Sequence, residues 1–263
     1  MPELPEVETV MRSLLPHLPG RRIVAARFTS RFVTPGNRKA LAAKFTGRTI
    51  QSLTRRGKFI VMQLDQGTLT VHLGMTGRLL ALDEIPASKE QHMYGYFELD
   101  RGALVYIDPR QFGRILPDHD LDHLGPEPLD ISLEDFRLRL KSRKTRIKAL
   151  LLDQSFVAGV GNIYADETLY AACVHPLAST KRLSAEKIAA IHSSMQEILH
   201  AAIALGGSSI SDYVDARGEK GFFQLQHQAY GREGEPCYRC GGPIRRILVT
   251  QRGTHYCARC QRR

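Results

Sequence analysis

The sequence predicts an α+β multidomain protein: an N-terminal antiparallel β-sandwich with a flanking helix, a helical domain, and a small cysteine-rich C-terminal hairpin. Three observations predict it. Short apolar or alternating runs broken by glycines fill residues 21–116, which is strand and turn texture. Helical periodicity takes over beyond residue 130. Four of the five cysteines sit in two Cys-x2-Cys pairs at the C-terminal end.

In order along the chain, residues 3–15 read as a helix with Leu4, Val7, Val10, Met11, Leu14 and Leu15 on one broad apolar face, stopped by Pro16, Pro19 and Gly20. Strand-like runs follow, among them Phe59-Ile60-Val61-Met62, Thr68-Leu69-Thr70-Val71 and Ala103-Leu104-Val105-Tyr106-Ile107. Gly125-Pro126-Glu127-Pro128 reads as a linker. Helices are expected at 132–141, 145–153, 162–173, 184–205 and 208–215, and 216–229 reads as a mobile glycine- and glutamine-rich loop. The expected domains are 1–120, 130–222 and 228–263.

The net charge is +10, so the surface should attract polyanions, nucleic acid first among them. No apolar run approaches the ~18 residues of a membrane span, and the acidic, proline-containing N-terminus is unlike a targeting segment. A cytoplasmic, bacterial-type, nucleoid-associated monomer is the expectation.

The opening Met1-Pro2-Glu3-Leu4-Pro5-Glu6 carries chemistry if Met1 is trimmed. Pro2 then offers a secondary amine, and an α-amino group titrates near pH ~8 against ~10.4 for lysine, so part of it is unprotonated at neutral pH. Its attack on a sugar C1′ or an aldehyde gives an iminium that is already cationic, with the Glu3 carboxylate alongside to move protons. The same residues also simply favour a helix's first turn.

Cys237-x2-Cys240 and Cys257-x2-Cys260 with sixteen residues between the pairs form a zinc signature. Four thiolates fill a tetrahedral site, which makes one structural zinc, and the metal supplies folding energy that so small a unit cannot draw from a core. The rival is two disulfides. Ile247-Leu248-Val249 and Thr254-His255-Tyr256 read as the hairpin strands, with Gln251-Arg252-Gly253 at the tip; Cys173 reads as a buried small hydrophobe.

The most basic stretch, Arg137 to Lys148, has seven cations and no acid. It precedes Gly159-Val160-Gly161-Asn162, where glycines and an N-cap asparagine make an anion site, or a plain cap, at a helix N-terminus. In Asp108-Pro109-Arg110-Gln111-Phe112-Gly113, Arg110 and Phe112 project to one side if the segment is extended. Phe112 and Met75 are either core residues or wedges that fill the hole left by an extracted base, with Arg110 on the orphaned partner. Lys58, at a strand start, is within reach of a phosphate or a sugar.

Taken in order, Met1 to Thr9, Arg56-Gly57-Lys58, His72-Leu73-Gly74-Met75-Thr76-Gly77, Asp108 to Gly113, Gly125 to Leu129, Gly159 to Tyr164 and the four cysteines resemble the formamidopyrimidine-DNA glycosylases nearly end to end. The resemblance implies a β-sandwich, a helix-two-turn-helix domain and a zinc hairpin, acting on damaged double-stranded DNA held in a cleft. It implies Pro2 as Schiff-base nucleophile, Glu3 as proton shuttle, Lys58 as an aid to β-elimination and Arg252 to δ-elimination. Met75, Arg110 and Phe112 become void fillers. His72, His92, Arg143, Lys148 and Asn162 become DNA contacts, and Glu6 and Glu167 support the nucleophile's surroundings. Residues 208–226 correspond to a loop that closes over the flipped base.

Two departures stand out. Gln111 replaces a commonly basic residue, which removes one phosphate contact, and Lys89-Glu90-Gln91-His92 holds a single histidine where a second is common. The implied activity is excision of oxidised purines followed by strand cleavage on both sides. The competing expectations are the sister class that resembles endonuclease VIII and acts on oxidised pyrimidines, and a non-catalytic damage binder of the same fold.

Overall fold

In the computed structural model, which describes residues 1–86, 91–210 and 213–262, the chain forms two compact units. One comprises 1–121 and 205–222, the other 122–204 and 223–263.

The first unit opens with α1 (Leu4–Leu14), whose buried Leu4, Val7, Val10, Met11 and Leu14 form the expected apolar face. Eight strands follow: β1 (Ile23–Phe28), β2 (Ile50–Arg56), β3 (Phe59–Leu64), β4 (Thr68–His72), β5 (Arg78–Leu82), β6 (Met93–Leu99), β7 (Ala103–Ile107) and β8 (Arg114–Pro117). They make two antiparallel four-stranded sheets, ordered β1-β6-β7-β5 and β2-β3-β4-β8. Alternation buries Ile60 and Met62 of β3, Leu69 and Val71 of β4, and Phe97 and Leu99 of β6 in one shared core with α1. Phe28, Phe45 and Phe97 meet edge-on at its centre, with ring centroids 5.4–6.3 Å apart.

A helix inside this region, α2 (Arg38–Phe45), was not anticipated. Its signal is Asn37, whose Oδ1 accepts from the Lys39 and Ala40 N–H groups, ahead of a run of strong helix formers.

The second unit holds α3 (Leu133–Ser142), α4 (Ile147–Leu152), α5 (Asn162–Ala171) and α6 (Ala185–Ala204), close to the expected spans, and the hairpin β9 (Ile244–Val249) and β10 (Arg252–Cys257). Gly125 to Pro128 is packed rather than free: Gly125 N–H donates to the Gln154 carbonyl, Ala158 N–H to that of Pro126, and Gln196 Nε2 to that of Pro128.

The helix expected at 208–215 is absent among its described residues; 211 and 212 lie outside them. Gly206 and Gly207 adopt left-handed φ of 73° and 78°, and the backbone is anchored to other elements instead. Within 216–229 a short 3₁₀ turn, Phe223–Gln226, buries Phe223 against Tyr164. No helix among the described residues is long and apolar enough to cross a membrane.

Candidate functional site

The start of α1 is built around Glu6. One carboxylate oxygen accepts the Glu3 N–H at 2.8 Å and the other accepts the Ser208 N–H at 2.7 Å. The Tyr213 hydroxyl lies 3.2 Å from the Glu6 carbonyl and 3.1 Å from that of Gly206. Gly207 is obligatory: a Cβ there would sit 2.8 Å from Glu6 Oε1. Burial, with the Glu6 charge second, raises the Tyr213 pKa, so it stays a neutral phenol. Pro2, Glu3 and Glu6 are all buried, so the first turn is held from several sides. Replacing Glu6 by Gln removes one acceptor and leaves an N–H unmet, which should cost about 1–3 kcal/mol. Chemical denaturation alongside the trapping assay below would show lower stability and slower adduct formation together.

Lys58 lies in the two-residue turn between β2 and β3, where Arg56 pairs with Phe59 and Gly57 takes φ 55°. It is only 7% exposed, unusual for a lysine in a hairpin turn. Arg55 ties this turn to α1: its Nη1 donates to the Gly57 carbonyl and its Nε to Glu8 Oε2 at 2.7 Å. The helix that Pro2 and Glu3 lead into and the turn bearing Lys58 are thus fastened by a part-buried ion pair.

Across from Phe59 stands His72, whose Nδ1 accepts the Gly74 N–H at 3.1 Å. Burial first, then the positive charge of Lys58, lowers its pKa from 6.5 to about 4, so it is neutral at pH 7. His227, in the second unit, is also lowered to about 4 by burial. Both folded values lie below the unfolded value, so this stabilisation is complete above pH 6.5 and is lost as pH falls toward 4. The loss should reach up to ~3 kcal/mol for each histidine. Denaturation curves between pH 7 and 4 should show it, and His72→Gln should flatten the slope.

Asp108, fully buried, joins three loops. It accepts from Thr76 Oγ1 at 2.6 Å, from the Gly113 N–H at 2.8 Å and from the Tyr106 hydroxyl at 3.3 Å, while its own N–H donates to the His92 carbonyl. The carboxylate therefore fixes the loop carrying Met75 to the loop carrying Arg110 and Phe112, and the backbone N–H of the same residue holds the loop of His92. Glycine lets the backbones touch: a Cβ on Gly74 would sit 2.4 Å from the Gly113 nitrogen.

Met75 and Phe112 are 39% and 51% exposed, so neither belongs to the core. The segment is not extended, because Gln111 is left-handed at φ 55°. Arg110 and Phe112 meet instead through a guanidinium 4.9 Å from the ring centroid. Gln111 accepts from Ser30 Oγ at 2.5 Å. His92, also left-handed, places its ring 6.3 Å from that of Tyr94; Lys89 and Glu90 lie outside the described residues.

In the second unit, Arg143 is exposed just past α3, 3.9 Å from Asp153. Lys148 corrects the expectation of a surface contact: it is fully buried, 2.5 Å from Asp166 Oδ1. Asn162 is the first residue of α5, not its cap, a place taken by Gly161; its Nδ2 donates to the Gly253 carbonyl at 2.9 Å. Glu167 accepts the N–H groups of Gln228, Ala229 and Tyr230, so it holds the chain ahead of the zinc hairpin. Burial raises its pKa against those three bonds. Arg252 is exposed at the start of β10, one step past the tip, which Thr250 and Gln251 form with φ 48° and 60°.

The four cysteine sulfurs all lie within 4.8 Å of one another, with Cys237–Cys260 at 3.9 Å and Cys240–Cys257 at 3.4 Å. Zn–S bonds of about 2.3 Å in a tetrahedron demand sulfurs about 3.8 Å apart, so the set fits zinc and excludes disulfides. Tyr170 places its hydroxyl 3.2 Å from Cys237 Sγ, and Arg239, inside the first knuckle, donates to the Tyr170 carbonyl. Cys173 is half-buried rather than buried and meets Arg239 Nη1 at 2.7 Å.

Sequence reasoning missed Asp108 as the hub, the Glu8–Arg55 pair and Asp166. The first was signalled only by an aspartate opening a turn, the others by nothing local.

Fold and site together define a protein with a two-sheet sandwich, a helical unit and a four-thiolate zinc hairpin. Three family models match in succession: the formamidopyrimidine-DNA glycosylase N-terminal domain over residues 1–115, its H2TH domain over 124–214, and a zinc finger found in FPG and IleRS over 234–263. The chain is 51% identical to the formamidopyrimidine-DNA glycosylase of Solibacter usitatus, covering 100% of both. Among solved structures, wild-type Lactococcus lactis Fpg (MutM) in complex with N7-benzyl-Fapy-dG DNA superposes with a TM-score of 0.91 at 37% identity, and MutM in complex with carbocyclic 8-oxo-G DNA does so with the same values; each match covers 100% of both chains. The chain belongs to the formamidopyrimidine-DNA glycosylase family.

Proposed function

We propose that this chain is a bifunctional DNA glycosylase and AP lyase that excises oxidised purines, 8-oxoguanine and formamidopyrimidines, from duplex DNA. The observation that carries the reading is the start of α1: a proline at position 2 followed by a buried glutamate, clamped through Glu6. Such rigidity suits a nucleophile that must meet C1′ in one geometry.

The chemistry requires that Met1 be removed, because the nitrogen of a Met1–Pro2 peptide bond has no free lone pair. The Pro2 amine attacks C1′, the glycosidic bond breaks, and its electron pair leaves with the base, which takes up a proton. Loss of the amine proton and opening of the sugar ring, with Glu3 delivering a proton to O4′, leave an iminium. Removal of the C2′ proton then expels the 3′ phosphate. A second proton loss, from C4′, expels the 5′ phosphate. We assign Lys58 to the first elimination and Arg252 to the second.

Met75, Arg110 and Phe112 fill the vacated stack, their exposure and shared anchoring by Asp108 suiting a rigid wedge. His72, His92, Arg143 and Asn162 contact the DNA backbone. Gln111, occupied with Ser30, supplies no charge there, so affinity is weaker than with a basic residue while chemistry is untouched.

Borohydride trapping on duplexes with 8-oxoguanine opposite cytosine tests this. The expected result is an adduct lacking Met1, mapped to Pro2, with strand gaps. Efficient trapping only on thymine glycol would place the substrate among oxidised pyrimidines, and binding without trapping or cutting would refute the amine mechanism.

A further inference from the structure

In the hairpin of β9 and β10, one edge of β10 pairs with β9, and the other presents backbone groups that no strand among the described residues meets. The Gly253 carbonyl and the His255 N–H lie on that open edge. Two side chains of α5 meet them. Asn162 Nδ2 donates to the Gly253 carbonyl at 2.9 Å, and the His255 N–H donates to Asp166 Oδ2 at 2.8 Å. Residues i and i+4 of a helix stand about 6 Å apart on one face, close to the i, i+2 spacing of a strand. Asn162 and Asp166 therefore act as a side-chain substitute for a third strand.

Lys148 closes the arrangement. Its Nζ lies 2.5 Å from Asp166 Oδ1 and 3.5 Å from the Gly253 carbonyl, and both members of the pair are fully buried. His255 adds its Nδ1, 3.3 Å from Asp166 Oδ2. A buried ion pair contributes little net stability, so its value here lies in geometry. What it fixes is the strand directly after Arg252, whose own carbonyl accepts from Thr254 Oγ1 at 3.1 Å. The exposed guanidinium is thus carried on backbone pinned at the next residue and again two residues later.

We propose that Asp166, through Lys148 and the open edge of β10, is the positioning residue for Arg252, and so sets how far strand cleavage proceeds beyond β-elimination. The proposal rests on the role assigned to Arg252 above. Asp166 touches no reacting atom itself.

The test uses the full-length zinc-loaded protein on an 8-oxoguanine duplex, with excision, β-product and δ-product followed separately and zinc per chain measured. Asp166→Asn keeps the shape and removes the charge; Asp166→Glu keeps the charge that neutralises Lys148 and displaces it by one methylene. Both should lower the ratio of δ- to β-product about tenfold, leaving excision and Pro2 trapping within about twofold. If the Asn variant does not retain zinc, the Glu variant decides. An unchanged product ratio in zinc-loaded protein overturns the proposal, as does a fall in excision parallel to the fall in δ-product. Arg252→Ala is run beside them. If it leaves the ratio at the wild-type level, the Arg252 assignment itself fails, an outcome distinct from failure at Asp166 alone.

Discussion

Replacing Pro2 by Gly should abolish efficient borohydride trapping while leaving affinity for a lesion duplex nearly unchanged. With Met1 removed, the Pro2→Gly variant still offers an amine, so the comparison is a sharp one. A primary amine yields a neutral imine that must capture a proton before it can draw electrons, whereas a secondary amine yields a charged iminium at once. Glycine also adds backbone freedom at the first residues of α1, where the Glu3 N–H is held by Glu6. Glu3→Gln keeps the amine and removes the carboxylate that moves protons, which should slow excision by about 10²–10⁴-fold.

Single-turnover excision, trapping yield and a binding isotherm on each variant would check both. Full excision and trapping by the glycine variant would remove Pro2 from the mechanism. Equal losses of binding and excision would instead mark position 2 as part of the helix start. The Glu6 clamp makes that second outcome measurable independently, because Glu6→Gln loosens the same turn without touching the amine.

How much of this was legible depended on the range of the interaction. The helix α1, the helices α3 to α6, the two Cys pairs and the buried strands could be read from the sequence because their signals are local: a 3.6-residue period, a fixed spacing, alternation within one run. The helix expected at 208–215 could not, because Gly206 and Gly207 take left-handed φ just ahead of it. The chain-order motifs also marked the loops of Met75, Arg110 and Phe112. Their mutual placement was not legible, because it depends on Asp108 accepting from Thr76, 32 residues away in sequence.

Lys148 misled for a physical reason. A lysine in a run of seven cations reads as a solvated face, and only the fold brings Asp166, 18 residues on, to within 2.5 Å of it. The partners of Glu167 were hidden in the same way: an acidic residue on a helix gives no sign that three backbone N–H groups converge on it. The helix α2 was readable and missed, since Asn37 ahead of Ala- and Lys-rich sequence is a start signal that the surrounding β texture obscured.

Removal of zinc should unfold the C-terminal hairpin while sparing the sandwich. The cluster beneath the hairpin is small, consisting of Tyr170, Ala229, Cys237, Ile244 and Cys257 with Cys240 and Cys260 against it. Apart from the metal, the contacts that hold the hairpin include its one strand pairing, the Asn162 and Asp166 bonds, the Arg239 contacts, the Gln261 bond to the Val174 carbonyl and the rings of His175 and Tyr230 against Tyr256 and His255. Structural zinc supplies about 10–16 kcal/mol in comparable small fingers at neutral pH, far more than those few bonds recover. Chelation, or Cys240→Ser, should therefore release Arg252 together with the hairpin. Hydrogen exchange should rise across 237–260 and stay low in β3, β4 and β7, whose core is separate. Lesion-duplex affinity and the δ-product should fall, because Arg252 loses its fixed backbone. The amine and its Glu3 partner sit in the other unit, so trapping at saturating DNA should persist at a reduced yield. If chelated protein kept full affinity and the wild-type product ratio, the hairpin would be structural decoration, and neither Arg252 nor the zinc that holds its strand would belong to the function.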